Sequence, residues 1–425
     1  MVSTKLQVEP SGTVLRNARA LLIIQIANQL MPLALIPYLA RVLGASSYGV
    51  VAFGLSIVAV ASVVTDYGFN LSVTMQIAKR RDSKPYVNRL LGAVLIAKLM
   101  LVLAVVPAVL CYAAFTEKYA EFSSFFVLLL LPIFAQAFHP VWLFQGIEKM
   151  GYIAWFTLAS RLAYMAMVFT FVSSPSDYTT LAVVNGISQF VALFLAMSFL
   201  ANEGYRPRWA SMRYVLLIMQ SSTPFFWSRA AVSTYTAGGA MYLGFFSSST
   251  QVAYYAAAEQ LYKGAQGLFA PLSQALYPHM VRTKNFQLLF KVIKLSACVC
   301  LAGAVFGAFT GQYFIELLFG SDFLNSETAL LVFLATLLVN TPSVLLGYPA
   351  LGALGHAAAA NRSVMIAGVT QLLLLVACFV FKWQLAYQIA MTVLVVEAVV
   401  LGLRASWFTK YYLVWSKSTC AGGIS

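Results

Sequence analysis

Twelve stretches of about twenty mostly apolar residues follow one another along the chain, each long enough to cross the hydrocarbon core of a bilayer as a helix. The expected spans lie near 20–43, 50–72, 90–114, 122–144, 152–172, 180–201, 214–246, 254–280, 293–319, 328–350, 363–381 and 386–403. The seventh is overlong, and the polar QSST run inside Tyr214–Thr223 allows its start to be a surface segment. Composition agrees: 61% of the residues are hydrophobic and 9% charged, where soluble domains carry roughly 45–50% and about 25%. A soluble core cannot absorb that excess, so the expected fold is an all-α integral membrane protein with lipid as its main solvent.

The few charges are sorted. With the N-terminus placed in the cytoplasm, 20 of the 27 Lys and Arg fall in cytoplasmic loops and tails, and only Lys118 and Lys382 fall outside. That asymmetry predicts both termini inside. Most of the +14 net charge is then a topology signal, and a nucleic-acid partner is not expected. The polar N-terminus shows no small-residue cleavage pattern, so no signal peptide is expected. The five cysteines (Cys111, Cys298, Cys300, Cys378 and Cys420) form no CxxC, four lie in apolar segments, and all are expected to be packing thiols.

External connections are short, such as GASSYG, TEKYAE and GSDFLNSE, which leaves little room for an extracellular catalytic domain. Two of these loops recur at an offset of about 204 residues, SSSTQVA answering GASSYG and GSDFLNSE answering TEKYAE. This predicts an N-terminal six-helix bundle (1–201), a basic cytoplasmic linker (202–213) and a C-terminal six-helix bundle with a short tail (214–425). An even repeat keeps both bundles in the same orientation, an arrangement that transporters use.

Charges inside the spans are the candidate functional groups, because each costs about 2.5–3.5 kcal/mol at mid-bilayer unless it meets water or a partner. The basic ones are Arg41, Lys98, Arg161, Arg229 and Lys263; the acidic ones are Asp66, Glu259 and Glu397. Arg161 is farthest from both ends of its span, beyond the reach of snorkelling, and is the strongest candidate for a cavity. Lys98 could snorkel part of the way out. Glu259 and Lys263, spaced i, i+4, could simply pair with each other. Polar stripes of Gln25, Asn28 and Gln29 in span one, Asn185 and Gln189 in span six, and Gln266 in span eight fit a hydrated lumen; interhelical hydrogen bonding is the plainer reading of any one of them. Guanidinium and ammonium groups in such a path suit phosphate. The acidic groups could bind a coupling ion or hold the cations in place.

The segments DYGFNLSVTMQIAKRRD (66–82), HPVWLFQGIEKM (139–150), VAYYAAAEQLYKGAQG (252–267) and SQALYPHM (273–280) resemble the polysaccharide (Wzx-type) flippases of the multidrug, oligosaccharidyl-lipid and polysaccharide exporter superfamily. The resemblance implies about twelve transmembrane helices in two six-helix bundles around a central cationic lumen. It also implies a substrate, undecaprenyl-pyrophosphate-linked oligosaccharide repeat units moved to the periplasmic leaflet of a bacterial inner membrane. The implied partners are a polysaccharide polymerase and a chain-length regulator, with no cofactor. One departure is that many members carry a basic residue where this chain has Met75 or Gln76. An ion-coupled drug or metabolite antiporter is the rival reading, though it would favour acidic cavity groups. A membrane polymerase or transferase is disfavoured, since His139, His279 and His356 lack metal-ligand spacing and no DxD is present.

Overall fold

A computed structural model describes residues 11–421 of the chain, with side chains for residues 31–32 and 34–417. Among the described residues there are fourteen α-helices, joined by 3-10 turns and one π-helical segment, and no strand. The first helix, α1 (Ser11–Asp66), carries the first expected span and most of the second, broken at Gly44, where φ is 68° and ψ 170°. A side chain is disfavoured in that left-handed backbone, whereas glycine enters it freely. Nine stretches among the described residues are long and apolar enough to cross a membrane. The chain is a multi-pass membrane protein.

Contacts divide the chain into two compact units, residues 1–35 with 61–227 and residues 36–60 with 228–425. This partition differs from the expected 1–201 and 214–425 in two places. Residues 36–60 of the first helical run compact with the second unit, and 202–227 compact with the first.

Unit 1 holds α2 (Phe69–Ala78), α3 (Lys84–Phe115), α4 (Ser123–Leu128), α5 (Leu130–Ala137), α6 (Val141–Gly146), α7 (Met150–Phe171), α8 (Tyr178–Asn202) and the start of α9 (Met212–Phe246). Its core is aromatic and aliphatic, with Phe69, Val73, Leu90, Val94, Trp142, Phe144 and Phe156 all buried. The expected fourth span is interrupted at Phe138–His139–Pro140. Proline lacks the N–H that a continuing helix needs, and it disfavours helical backbone at the residue before it. The Phe138 and His139 N–H groups still reach the Ala135 and Gln136 carbonyls, and the Ala137 carbonyl is left for another donor.

The linker is not a free tether. Its Arg206 N–H donates to Asn88 Oδ1 at 3.1 Å and its Arg208 N–H to the Asn88 carbonyl at 3.0 Å. A Cβ on Gly92 would lie 1.8 Å from the Arg208 carbonyl oxygen, so only glycine lets the linker backbone lie on α3. Gly92→Ala is expected to lift the linker, raising tryptic cleavage after Arg208 at least several-fold; an unchanged cleavage rate would show that the contact does not hold it. Glu203, at the end of α8, pairs with Lys149 and accepts a hydrogen bond from Tyr152 Oη at 2.7 Å. The Lys149 ammonium first, then Tyr152, hold its carboxyl below the usual carboxylate range.

Unit 2 holds α10 (Ser249–Thr283), α11 (Phe286–Phe319), α12 (Glu327–Leu345), the π-helical Leu346–Gly352, α13 (Ala357–Val380) and α14 (Ala386–Ala421), with the rest of α9 and residues 36–60. The lipid as solvent is plainest on α11. Over its middle turns the inward residues are small (Ser296, Cys300, Ala304, Gly311), while Leu295, Val299, Phe306 and Phe309 are exposed, Phe309 by 86%. Small residues facing neighbours and large ones facing out is the pattern of helices packed in hydrocarbon. The cysteines follow the same rule: Cys300 and Cys378 are buried, but Cys111 and Cys298 lie on exposed faces of apolar helices rather than in packing. Cys420 lies outside the described side chains.

Candidate functional site

A polar cavity of about 320 Å³ opens inside unit 1, built by two helix breaks. The first is at the end of α1, where Tyr67 (φ 47°) and Gly68 (φ 78°) turn the chain before α2. Gly68 is required on two counts, its left-handed backbone and the approach of Phe225, whose Cβ would lie 2.7 Å from an added methyl. That turn sets Asp66 and Asn70 on the cavity wall. The second break is the one before Pro140, which brings Gln136, Ala137 and His139 to the same wall.

Lys98, only 3% exposed, does not snorkel toward the end of α3. Its Nζ donates to the Ala137 carbonyl at 2.6 Å, an oxygen that the α5–α6 break leaves without its helical partner. A cation at a helix C-terminus also meets the negative end of the helix dipole. The Asp66 carboxylate acts on the same ammonium electrostatically. Around this pair, Ser62 Oγ donates to Gln136 Oε1 at 2.9 Å, and His139 Nε2 lies 3.1 Å from the Gln189 carbonyl oxygen.

Arg161, from the middle of α7, completes the wall. Its Nε is buried and, among the described residues, makes no hydrogen bond; the same holds for Asn70 Oδ1. A buried unpaired donor costs about 1–3 kcal/mol, more when charged. Lys98 already has an acceptor in the Ala137 carbonyl, so Arg161 is the cation on this wall whose buried donor is left for another group. Chemically, the cavity can hold an anionic or hydroxyl-rich group while excluding an apolar one.

The structure thus gathers Arg161, Lys98, Asp66 and Gln189 from the sequence candidates, and adds His139, Asn70 and Gln136. Asn185 is buried but does not line the cavity. The side chains of Gln25, Asn28 and Gln29 lie outside the described residues. The remaining candidates belong to unit 2. Arg41, expected in a lumen, is exposed and its guanidinium donates to the Leu317 and Glu316 carbonyls that end α11, which is a helix cap. Lys263 is exposed and pairs with Glu259 at 2.7 Å, the intrahelical alternative left open by the i, i+4 spacing. Arg229 is exposed.

Unit 2 has its own polar chain. Gln266 Nε2 donates to Asn340 Oδ1 at 3.0 Å, Asn340 Nδ2 donates to Glu397 Oε1 at 2.7 Å, and Tyr235 Oη donates to the same carboxylate oxygen. Glu397 is 3% exposed. Beside it, Gln266 and Asn340 edge a smaller cavity of about 200 Å³ that is otherwise mostly apolar. Arg404, counted among the loop cations by sequence, instead donates to the Ser343 carbonyl and to Ser363 Oγ, both at 2.9 Å. Ser343 sits at the end of α12, just before the π-helical segment that holds Gly347 and Pro349, and Ser363 lies in α13.

Residues 14–284 match the sequence profile described as "Polysaccharide biosynthesis protein". The chain is 30% identical over 295 residues to a protein of Escherichia coli (strain K12) named "Putative O-antigen transporter", covering 68% of this chain and 71% of that one. A protein of Shigella dysenteriae with the same name is 27% identical over 336 residues, covering 77% and 84%. Among solved structures, "Lipid II flippase MurJ, inward closed conformation" superposes with a TM-score of 0.70 at 12% identity, covering 94% of this chain and 90% of that one. An inward-facing multidrug resistance transporter gives 0.66 at 13% identity, covering 94% and 99%. At such identities the two structures speak for the fold alone.

Proposed function

We propose that this chain, which belongs to the polysaccharide biosynthesis protein family, is a flippase that carries lipid-linked oligosaccharide units across the membrane for O-antigen or a related surface polysaccharide. The observation that carries the reading is the cavity of unit 1, where the Arg161 Nε is buried without a hydrogen-bond partner while Lys98 is held by the Ala137 carbonyl. A polar cavity with a spare cation inside an apolar bundle is costly to keep, and it suits a cargo whose head is anionic and hydroxylated. The names borne by the relatives in Escherichia coli and Shigella dysenteriae support the same cargo class.

The finer assignment follows from that chemistry. The cargo is an undecaprenyl-pyrophosphate-linked repeat unit, whose pyrophosphate would take paired donors from a guanidinium while the polyprenyl tail stays in lipid. Translocation runs from the cytoplasmic to the periplasmic leaflet of a bacterial inner membrane, with both termini cytoplasmic, as the distribution of Lys and Arg supports. A polymerase and a chain-length regulator would receive the product. The protein moves its substrate unchanged and is no enzyme.

Complementation tests the reading. Expression in a strain deleted for its own O-antigen transporter and supplied with the matching glycan is expected to restore surface polysaccharide. Restored drug resistance in an efflux-deficient strain, with no restored polysaccharide, would overturn it in favour of a small-molecule antiporter.

A further inference from the structure

The segment 205–218 has two faces that its contacts define sharply. Tyr205, Ala210, Val215 and Ile218 are buried in the core of unit 1, and the Asn88 bonds fix the backbone between them. Its other face is therefore held outward, and it is apolar: Trp209 is 89% exposed, Met212 52%, Leu216 52% and Leu217 54%. The apolar outer face is a short one, because the polar Gln220, Ser221, Ser222 and Thr223 follow at once.

Charge decides what covers such a face. Arg206, Arg208 and Arg213 stand among the apolar side chains, all exposed, and none of them has an ion pair among the described residues. Two more cations extend the patch, Lys84 over the Tyr205 ring at 5.6 Å and Arg89 over the Tyr214 ring at 4.6 Å. An indole favours the headgroup level of a bilayer. Guanidinium groups beside it reach lipid phosphates. A helix start with an apolar outer face and basic flanks lies in the interface plane.

We propose that the outer face of residues 206–217 is a docking surface for anionic phospholipid headgroups, with Trp209 as its interfacial anchor and Arg206, Arg208 and Arg213 as its phosphate contacts. Zwitterionic lipid would satisfy the apolar side chains but, with each phosphate already balanced by its own headgroup cation, supply the three arginines no net counter-charge. The surface clamps the linker between α3 and the bilayer. The inference holds whatever the cargo is.

The test uses the full chain reconstituted in bilayers whose brominated acyl chains are carried either by phosphatidylglycerol or by phosphatidylcholine at equal mole fraction. The fluorescence difference between the native chain and Trp209→Phe isolates the one indole. Each basic side chain near an anionic surface contributes about a five-fold preference, so quenching is expected to be several-fold stronger with brominated phosphatidylglycerol. That preference is expected to vanish in the Arg206→Gln, Arg208→Gln, Arg213→Gln variant. It should also collapse for the native chain near 1 M salt, where the Debye length shrinks to about 3 Å; this arm requires no variant to fold. Equal quenching by the two headgroups would overturn the anionic preference. No quenching by either would overturn the lipid assignment and leave a protein partner on this face.

Discussion

Replacing Arg161 with alanine is expected to abolish restoration of surface polysaccharide in the complementation strain, while the protein still inserts and accumulates at normal levels. The reason is the division of charge within the unit 1 cavity. Lys98 is already held by the Ala137 carbonyl, so Arg161 is the cation left for cargo. A charge-assisted hydrogen bond contributes about 1.5–3 kcal/mol, which puts the loss of transport rate on the order of 10- to 100-fold. Arg161→Lys keeps the charge but loses the paired donors of the guanidinium, and should retain part of the activity. Full transport by the alanine variant would remove Arg161 from the substrate path. Removal of the spare cation costs little folding stability, since its Nε makes no hydrogen bond to lose. Melting of the purified variant should therefore stay close to that of the native chain.

Lys98→Met is expected to behave in the opposite way, with the larger effect on stability. The substitution deletes a 2.6 Å hydrogen bond to a helix-end carbonyl and removes a positive charge that acts electrostatically with Asp66. A hydrogen bond to a charged group contributes about 1.5–3 kcal/mol. The melting temperature of the reconstituted protein should fall clearly, and Asp66→Asn in the same chain should recover part of the loss. Such non-additivity is the signature of two groups in contact with one another's field. Equal losses for the single and double variants would show that the two charges are not coupled.

The contrast between these two cations shows what could be read from sequence and what could not. The apolar stretches revealed the helices because twenty residues of low polarity have few other fates. Arg161 stood out for the same reason, its distance from either end of α7. Lys98 was harder: a lysine near a helix end can snorkel, and only the break at Pro140 some forty residues later supplies the carbonyl that captures it instead. The proline was visible, but its link to Lys98 is tertiary. His139 belongs to the same break; read along the chain it is one of three scattered histidines, and its neighbours in space come from α1, α2, α3 and α8.

Arg41 and Lys263 show how much a local partner can absorb. Each lies in an apolar stretch that points to a charged path, and both are exposed with a partner close by. A lysine four residues after a glutamate already announces that outcome. Arg41 did not announce it, since the α11 carbonyls it caps lie some 275 residues away. The linker was legible as basic and short, but not as docked; the signal was the glycine at 92, whose need appears only once the Arg208 carbonyl is known to rest on it.

The most direct test of the central claim is the sidedness of the lipid-linked glycan when this protein is depleted from its host. A membrane-impermeant sugar-modifying probe, applied to spheroplasts and to inverted vesicles, reports which leaflet holds the repeat units. If the chain is the flippase, single units accumulate and are reached only from the cytoplasmic face. Normal amounts of units, already reached from the outer face, would contradict it.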